Sequence, residues 1–128
     1  MIAGSVNTRL EAIVRLTLRG PQGQRRRIEA VIDTGYNGAL TLPPDLIAEL
    51  GLPWNDSGPV VLGDGSTCEC DVYLGTVLWN RLPVPILVDE ADTTPLLGMG
   101  LLHGFELKMN VERRGHVTIK PLRRLRAT

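Results

Sequence analysis

The sequence predicts an all-β domain, and three observations carry that expectation. Apolar residues recur mostly with a period of two, as in "AIVRLTLR" from residue 12. The 14 glycines and 9 prolines cut the chain into short segments. Helical patterning is confined to "PDLIAEL" from residue 44 and a short turn near "GMGLL". Together these imply roughly six to eight short strands and one or two short helices, in a closed barrel or a sandwich. At 128 residues with 43% hydrophobic content, the chain reads as one domain over residues 1–128, built on a single core.

The elements follow in order. "AIVRLTLRG", the turn "PQGQ" and "RRRIEAVID" make an antiparallel hairpin, with Arg25, Arg26 and Arg27 on a solvated edge beside the turn. After "TGYNG" comes the short strand "ALTL". Pro43 and Pro44 then start a helix where a missing N–H does no harm, and Gly51 stops it. "PVVLGDGSTCECDVYLGTVLWN" reads as two strands joined at "GDGS", a hairpin-turn signal in which Asp64 is the turn residue. In "RLPVPILVDE", Pro83 and Pro85 push a strand toward an edge or a bulge. The acidic "VDEAD" reads as a solvated loop. "PLLGMGLLHGF" holds a buried apolar pair, a glycine and a helical turn that His103 ends. "FELKMNVERRGHVTIK" closes the chain with two strands.

Charge and cysteine content exclude several classes. The 14 basic and 14 acidic residues balance, so the molecule as a whole has no electrostatic preference for nucleic acid or an anionic membrane. The locally basic "PLRRLRAT" reads as a solvated tail. No segment reaches the roughly 18 apolar residues of a membrane span, and the opening "MIAGSVNTRLEAIV" lacks a signal-peptide pattern, so a cytoplasmic location is expected. Cys68 and Cys70, at i and i+2 of a strand, are poorly placed to bond to each other and are expected as reduced thiols. With His103 and His116 they form no metal-ligand spacing, so neither a metal nor another cofactor is expected.

The chemistry centres on Asp33. It ends an apolar strand, where a carboxylate is costly to bury unless hydrogen-bonded or paired. Thr34 supplies a hydroxyl, and Gly35 lets the backbone turn tightly and present N–H groups to the acid. The triplet alone is weak evidence, since it arises by chance in roughly one of a few tens of chains this long. Asp33 as a simple turn cap is the bland reading. The context is richer, with Gly38 and "LTLP" after the triplet, then the "GDGS" hairpin, then "PLLGMGLL".

In this order, "AVIDTG", the "GDGS" hairpin and "PLLG" resemble the retropepsin-like aspartic proteases, especially the small single-domain prokaryotic members. The resemblance spans about residues 10 to 120, and "IDTGYNGALTLP" is its most specific part. It implies a closed barrel with a flap hairpin and a catalytic triplet of Asp33, Thr34 and Gly35. Thr34 would hydrogen-bond across to the same loop of a second subunit. It further implies a flap at Val61 to Thr67, and substrate contacts from Tyr36, Leu62, Gly63, Asp64, Gly65, Ser66 and Leu97. Leu96, Leu97 and Gly98 would pack behind the active loop. Because the chain holds a single Asp-Thr-Gly, the resemblance implies a homodimer acting on a peptide or protein substrate without a cofactor. Three residues depart from the retroviral pattern. Tyr36 replaces a small residue, while Asn37 and Met99 replace an acid and its arginine partner together, so neither charge is left unpaired. A bulky Tyr36 implies a restricted cleft. The competing readings are a non-catalytic dimeric peptide-binding or scaffolding module on the same fold, and a cysteine-based metal or redox module.

Overall fold

The computed structural model of the chain describes residues 1–61 and 64–122. Among them are the strands β1 (Ile2–Val6), β2 (Ala12–Arg19), β3 (Arg25–Ile32), β4 (Leu40–Leu42), β5 (Trp54–Val61), β6 (Thr67–Trp79), β7 (Leu82–Glu90), β8 (Leu96–Leu97), β9 (Phe105–Met109) and β10 (His116–Pro121), with the helices α1 (Pro44–Leu50) and α2 (Met99–Leu102). The all-β class holds, with more strands than the apolar pattern alone predicts. The strands missing from that expectation are β1 and the two-residue β8. The "IAGSV" of β1 carries only two large apolar residues, only Val6 is buried, and backbone pairing to β2 and β10 holds it in place.

Alternation builds the first hairpin. Ala12, Val14, Leu16 and Leu18 of β2 point inward, and β3 pairs with β2 in a register from Ile13↔Val31 to Arg19↔Arg25. The arginines at the start of β3 are exposed, and Arg26 pairs with Glu49 of α1.

Strand pairings then close a ring, running β2, β3, β8, β4, β7, β6 and back to β2. Closure depends on two strands that each divide one edge between two partners. β2 gives Ala12–Val14 to β1 and Thr17–Arg19 to β6. β6 gives Thr67–Tyr73 to β5 and Thr76–Leu78 to β2. A closed ring leaves no central strand edge exposed to another chain. Pro83 and Pro85 lie in the half of β7 that β6 alone borders, since β4 joins β7 only from Val88 onward, so their missing N–H groups break no ladder.

The core lies inside this ring, where Leu40, Leu42, Val77, Val88 and Leu97 are enclosed. Leu46, Ile47 and Leu50 of α1 join it. The helix ends as its sequence predicts, at Gly51 with φ 62°, whose N–H donates to the Ala48 carbonyl.

The acidic "VDEAD" is a solvated loop only at Ala91 and Asp92, which are exposed and follow β7. Val88 to Glu90 complete β7 and run parallel to β4, with Asp89 and Glu90 half-buried. Neither described helix is long and apolar enough to cross a membrane.

Burial sets the expected effects of truncation. Leu97 is 0% exposed and sits between two strands, so Leu97→Ala should lower unfolding free energy by about 2–5 kcal/mol. Leu87 on the outer face is 51% exposed, and Leu87→Ala should stay within about 0.5 kcal/mol of wild type. Urea unfolding of the two variants checks the contrast.

Candidate active site

Asp33 follows the last residue of β3, and the two-residue strand β8 fixes where it stands. β8 lies between β3 and β4, parallel to the first (Ile32↔Leu97) and antiparallel to the second (Leu40↔Leu97). The Asp33 N–H donates to the Leu97 carbonyl at 2.8 Å, which extends the β3–β8 pairing into the loop. The loop then folds on itself. The Gly35 N–H donates to Asp33 Oδ1 at 3.0 Å, and the Tyr36 N–H donates to the Asp33 carbonyl at 3.2 Å. On its far side it is tied to the segment after β8. The Met99 N–H donates to the Tyr36 carbonyl at 2.7 Å, and the Gly100 N–H to the Gly38 carbonyl at 3.0 Å.

Gly98 makes that approach possible. A Cβ there would lie 2.2 Å from the Gly38 carbonyl oxygen and 2.5 Å from Tyr36 Cδ2, closer than any side chain tolerates. The "LLG" stretch thus packs behind the loop, as its sequence suggests. Asp33 is half-buried, and Thr34 and Gly35 are exposed.

Tyr36 turns back across the loop. Its ring runs over Gly38, where a Cβ would meet the hydroxyl at 2.4 Å, and its hydroxyl donates to Asp89 Oδ2 of β7 at 2.5 Å. Burial, then the hydrogen bond to Asp89, push the phenol well above the ordinary tyrosine range, against a smaller opposing effect of Thr41. Cys70 is likewise raised, by burial and then by the charge of Asp89, and its Sγ contacts the Glu90 carbonyl at 3.2 Å. Tyr73 is also raised, by desolvation and by Glu90, to whose Oε2 it donates at 3.2 Å.

Tyr36, Cys70, Asp89 and Glu90 line, with Asp33, one cleft of about 470 Å³. Asp33, Gly35, Tyr36 and Thr41 form one wall, Val61 and Cys68 to Cys70 of the β5–β6 hairpin a second, and Asp89 to Thr93 with Leu96 the third. Val61 and Cys68 to Cys70 of the hairpin expected as a flap therefore border the same cleft as the loop that carries Asp33. Of the hairpin's tip, Asp64, Gly65 and Ser66 are not among the cleft lining. Asp64 is a turn residue that accepts from the Ser66 N–H at 2.9 Å and the Ser66 hydroxyl at 2.6 Å, and these bonds hold its carboxyl below the usual carboxylate range. Gly65 beside it has φ 86°. Leu62 and Gly63 lie outside the described residues.

Leu97, expected as a substrate contact, is fully enclosed, because adjacent strand residues face opposite sides and Leu96 takes the cleft side. Sequence reasoning missed Asp89, Glu90, Thr41 and Cys70. The signal at Asp89 was an acid ending an apolar strand, the same cue that singled out Asp33. Cys68 and Cys70 are free, the first exposed and the second buried. Among the described residues, no group of three or more His, Cys, Asp or Glu side chains is placed to hold a metal ion.

No family model matches the sequence, and no curated protein is significantly similar to it. Among solved structures, the chain is similar to a retropepsin-like aspartic protease from Rickettsia conorii, with a TM-score of 0.57 and 15% identity over 95% of this chain and 91% of that one. The likeness is one of fold: this chain has a retropepsin-like fold.

Alkaline titration tests the tyrosine environment. Both tyrosines are raised in the folded chain, so phenolate absorbance should appear only above pH about 10, with Tyr36 last. The sign for stability follows. The folded state retains protons that the unfolded chain has lost, so the contribution is fully present below pH about 10 and falls as pH rises beyond it. A folded-state midpoint at or below the unfolded value for both residues would contradict this.

Proposed function

We propose that this protein is a homodimeric aspartic endopeptidase, with Asp33 of each subunit forming the catalytic pair. The observation that carries the reading is the Asp33 loop. A half-buried carboxylate stands on a tight turn, stitched to β8 and the segment behind it, and opens onto a cleft lined in part by the β5–β6 hairpin. The retropepsin-like fold, shared over 95% of the chain, supports it.

Dimerisation follows from stoichiometry. The chemistry needs two carboxyl groups, the sequence has one Asp-Thr-Gly, and a two-fold axis supplies the second from an identical surface. The exposed Thr34 would hydrogen-bond to the partner loop across that axis. Two carboxyl groups so close share one proton over an acidic range, and their titration belongs to the pair.

In the reaction, the ionised carboxylate takes a proton from a water molecule as its oxygen attacks the peptide carbonyl carbon. The protonated carboxyl gives its proton to the carbonyl oxygen. A neutral tetrahedral diol results. On collapse, one diol hydroxyl returns its proton to a carboxylate, the C–N bond breaks, and the departing nitrogen takes a proton from the other carboxyl. The products are a carboxylic acid and an amine, no covalent enzyme intermediate forms, and no cofactor is needed. The β5–β6 hairpin would close over an extended peptide and pair with its backbone as an added strand does.

Purified protein should cleave a mixed peptide library at acidic to mildly acidic pH, and Asp33→Asn should lose at least about 100-fold of that activity. Equal cleavage by the two proteins overturns the assignment. Light scattering at micromolar concentration should give the mass of a dimer, and a monomer overturns the shared pair. A dimer that binds peptides without cutting them identifies the protein instead as a binding module on the same fold.

A further inference from the structure

Tyr36 and Asp89 form a unit that the catalytic triplet does not require. The ring lies across two glycines, Gly38 and Gly98, at positions where any Cβ would collide with it. Its hydroxyl is held at 2.5 Å by Asp89, which comes from β7 on the other side of β4. Asp89 has no cationic partner among the described ion pairs. The tyrosine hydroxyl is the donor that satisfies it.

The ring is therefore seated at both ends. Its backbone is pinned to Asp33 and Met99, and its tip is pinned to the opposite wall. It nevertheless stays half-buried and lines the cleft beside Asp33. A side chain anchored in this way takes cleft volume permanently, because freeing it would leave the half-buried Asp89 carboxylate without its donor.

We propose that Tyr36, positioned by Asp89, sets the size of the substrate residue accepted beside Asp33, so that the cleft takes a small side chain there and excludes a branched or aromatic one. The proposal rests on the peptide-cleaving reading above. Tyr36 is the specificity-determining residue, and Asp89 acts through it as a positioning residue.

The test uses peptides that vary one residue on each side of the scissile bond through Gly, Ala, Val, Leu and Phe. They are assayed as substrates of the active protein and as ligands of Asp33→Asn. Wild type should favour Gly and Ala at one of these positions. Tyr36→Ala should shift the Leu-to-Ala ratio of kcat/KM by about tenfold or more toward Leu, the scale on which apolar pockets discriminate side-chain size. Tyr36→Leu, which fills more of the space over the glycines but cannot reach Asp89, should shift it in the same direction and provides a second variant if the alanine protein does not fold. Tyr36→Phe keeps the ring but loses its bond to Asp89, and should broaden the preference as freeing the ring does. Asp89→Asn keeps an acceptor and should resemble wild type, whereas Asp89→Ala frees the ring and should broaden the preference.

Unchanged preference in both Tyr36→Ala and Tyr36→Leu, alongside normal cleavage, overturns the proposal and leaves the peptidase reading intact. Peptides bound with Tyr36-dependent size selection but never cleaved support the proposal and overturn catalysis. Peptides neither bound nor cleaved overturn both.

Discussion

The insertion of β8 between β3 and β4 is the constraint on which the rest of the structure depends. Two residues, Leu96 and Leu97, pair on both sides, parallel to one neighbour and antiparallel to the other. The chain leaving β3 therefore cannot turn directly into β4, because β8 occupies the place between them. It must cross over the end of β8, and the crossing is the Asp33–Ala39 loop. Leu97 is fully enclosed and accepts the Asp33 N–H, so the same residue anchors the core and sets the height of the acid. Its position explains how a loop with little packing of its own holds a carboxylate in place.

The local chemistry follows from that crossing. The loop must pass so close to the segment after β8 that side chains at Gly98 and Gly38 are excluded, and the space released is taken by the Tyr36 ring. Glycine at these two positions is a matter of contact distance, since neither lies in the left-handed region. Once the ring is seated there, its hydroxyl reaches β7, and a half-buried carboxylate at Asp89 gains its donor. One topological fact thus propagates from backbone to ring to opposite wall, and the phenol's reluctance to ionise is its electrostatic trace.

Residues with a strong local signature were legible in the sequence. The β2–β3 hairpin followed from alternation ending at "PQGQ", α1 from Pro44 and Gly51, and the β5–β6 turn from "GDGS". The Asp33 loop was legible because an acid at the end of an apolar strand demands compensation. What escaped had a weak local cue or one whose partner lay far away in sequence. β1 exists because β2 and β10 offer it ladders, and its five residues, two of them large and apolar, are too few to show a period clearly. Asp89 looked like part of an acidic loop because its donor, Tyr36, lies far away in sequence and its neighbour β4 pairs with it across a crossover. Leu97 was placed at the cleft because a motif marks a stretch of chain, whereas strand alternation decides which of two adjacent leucines faces the core.

The ring also explains why the same domain combines a rigid acid loop with a projecting hairpin. β6 is the longest strand, and the ring uses only its later part: β7 borders it from Val72 onward and β2 from Thr76 to Leu78. From Thr67 to Asp71 its ladder partner among the described residues is β5 alone, and most of its side chains there are exposed. Bending this part disturbs a two-stranded ribbon, with little core to disrupt, and regions of few buried contacts open at low free energy. The Asp33 loop sits at the opposite extreme, bonded to buried strands on both flanks. The cleft between them thus has one wall bonded to buried strands and one built on a two-stranded ribbon. That difference arises from how β6 divides its edges, before any residue of the cleft is specified.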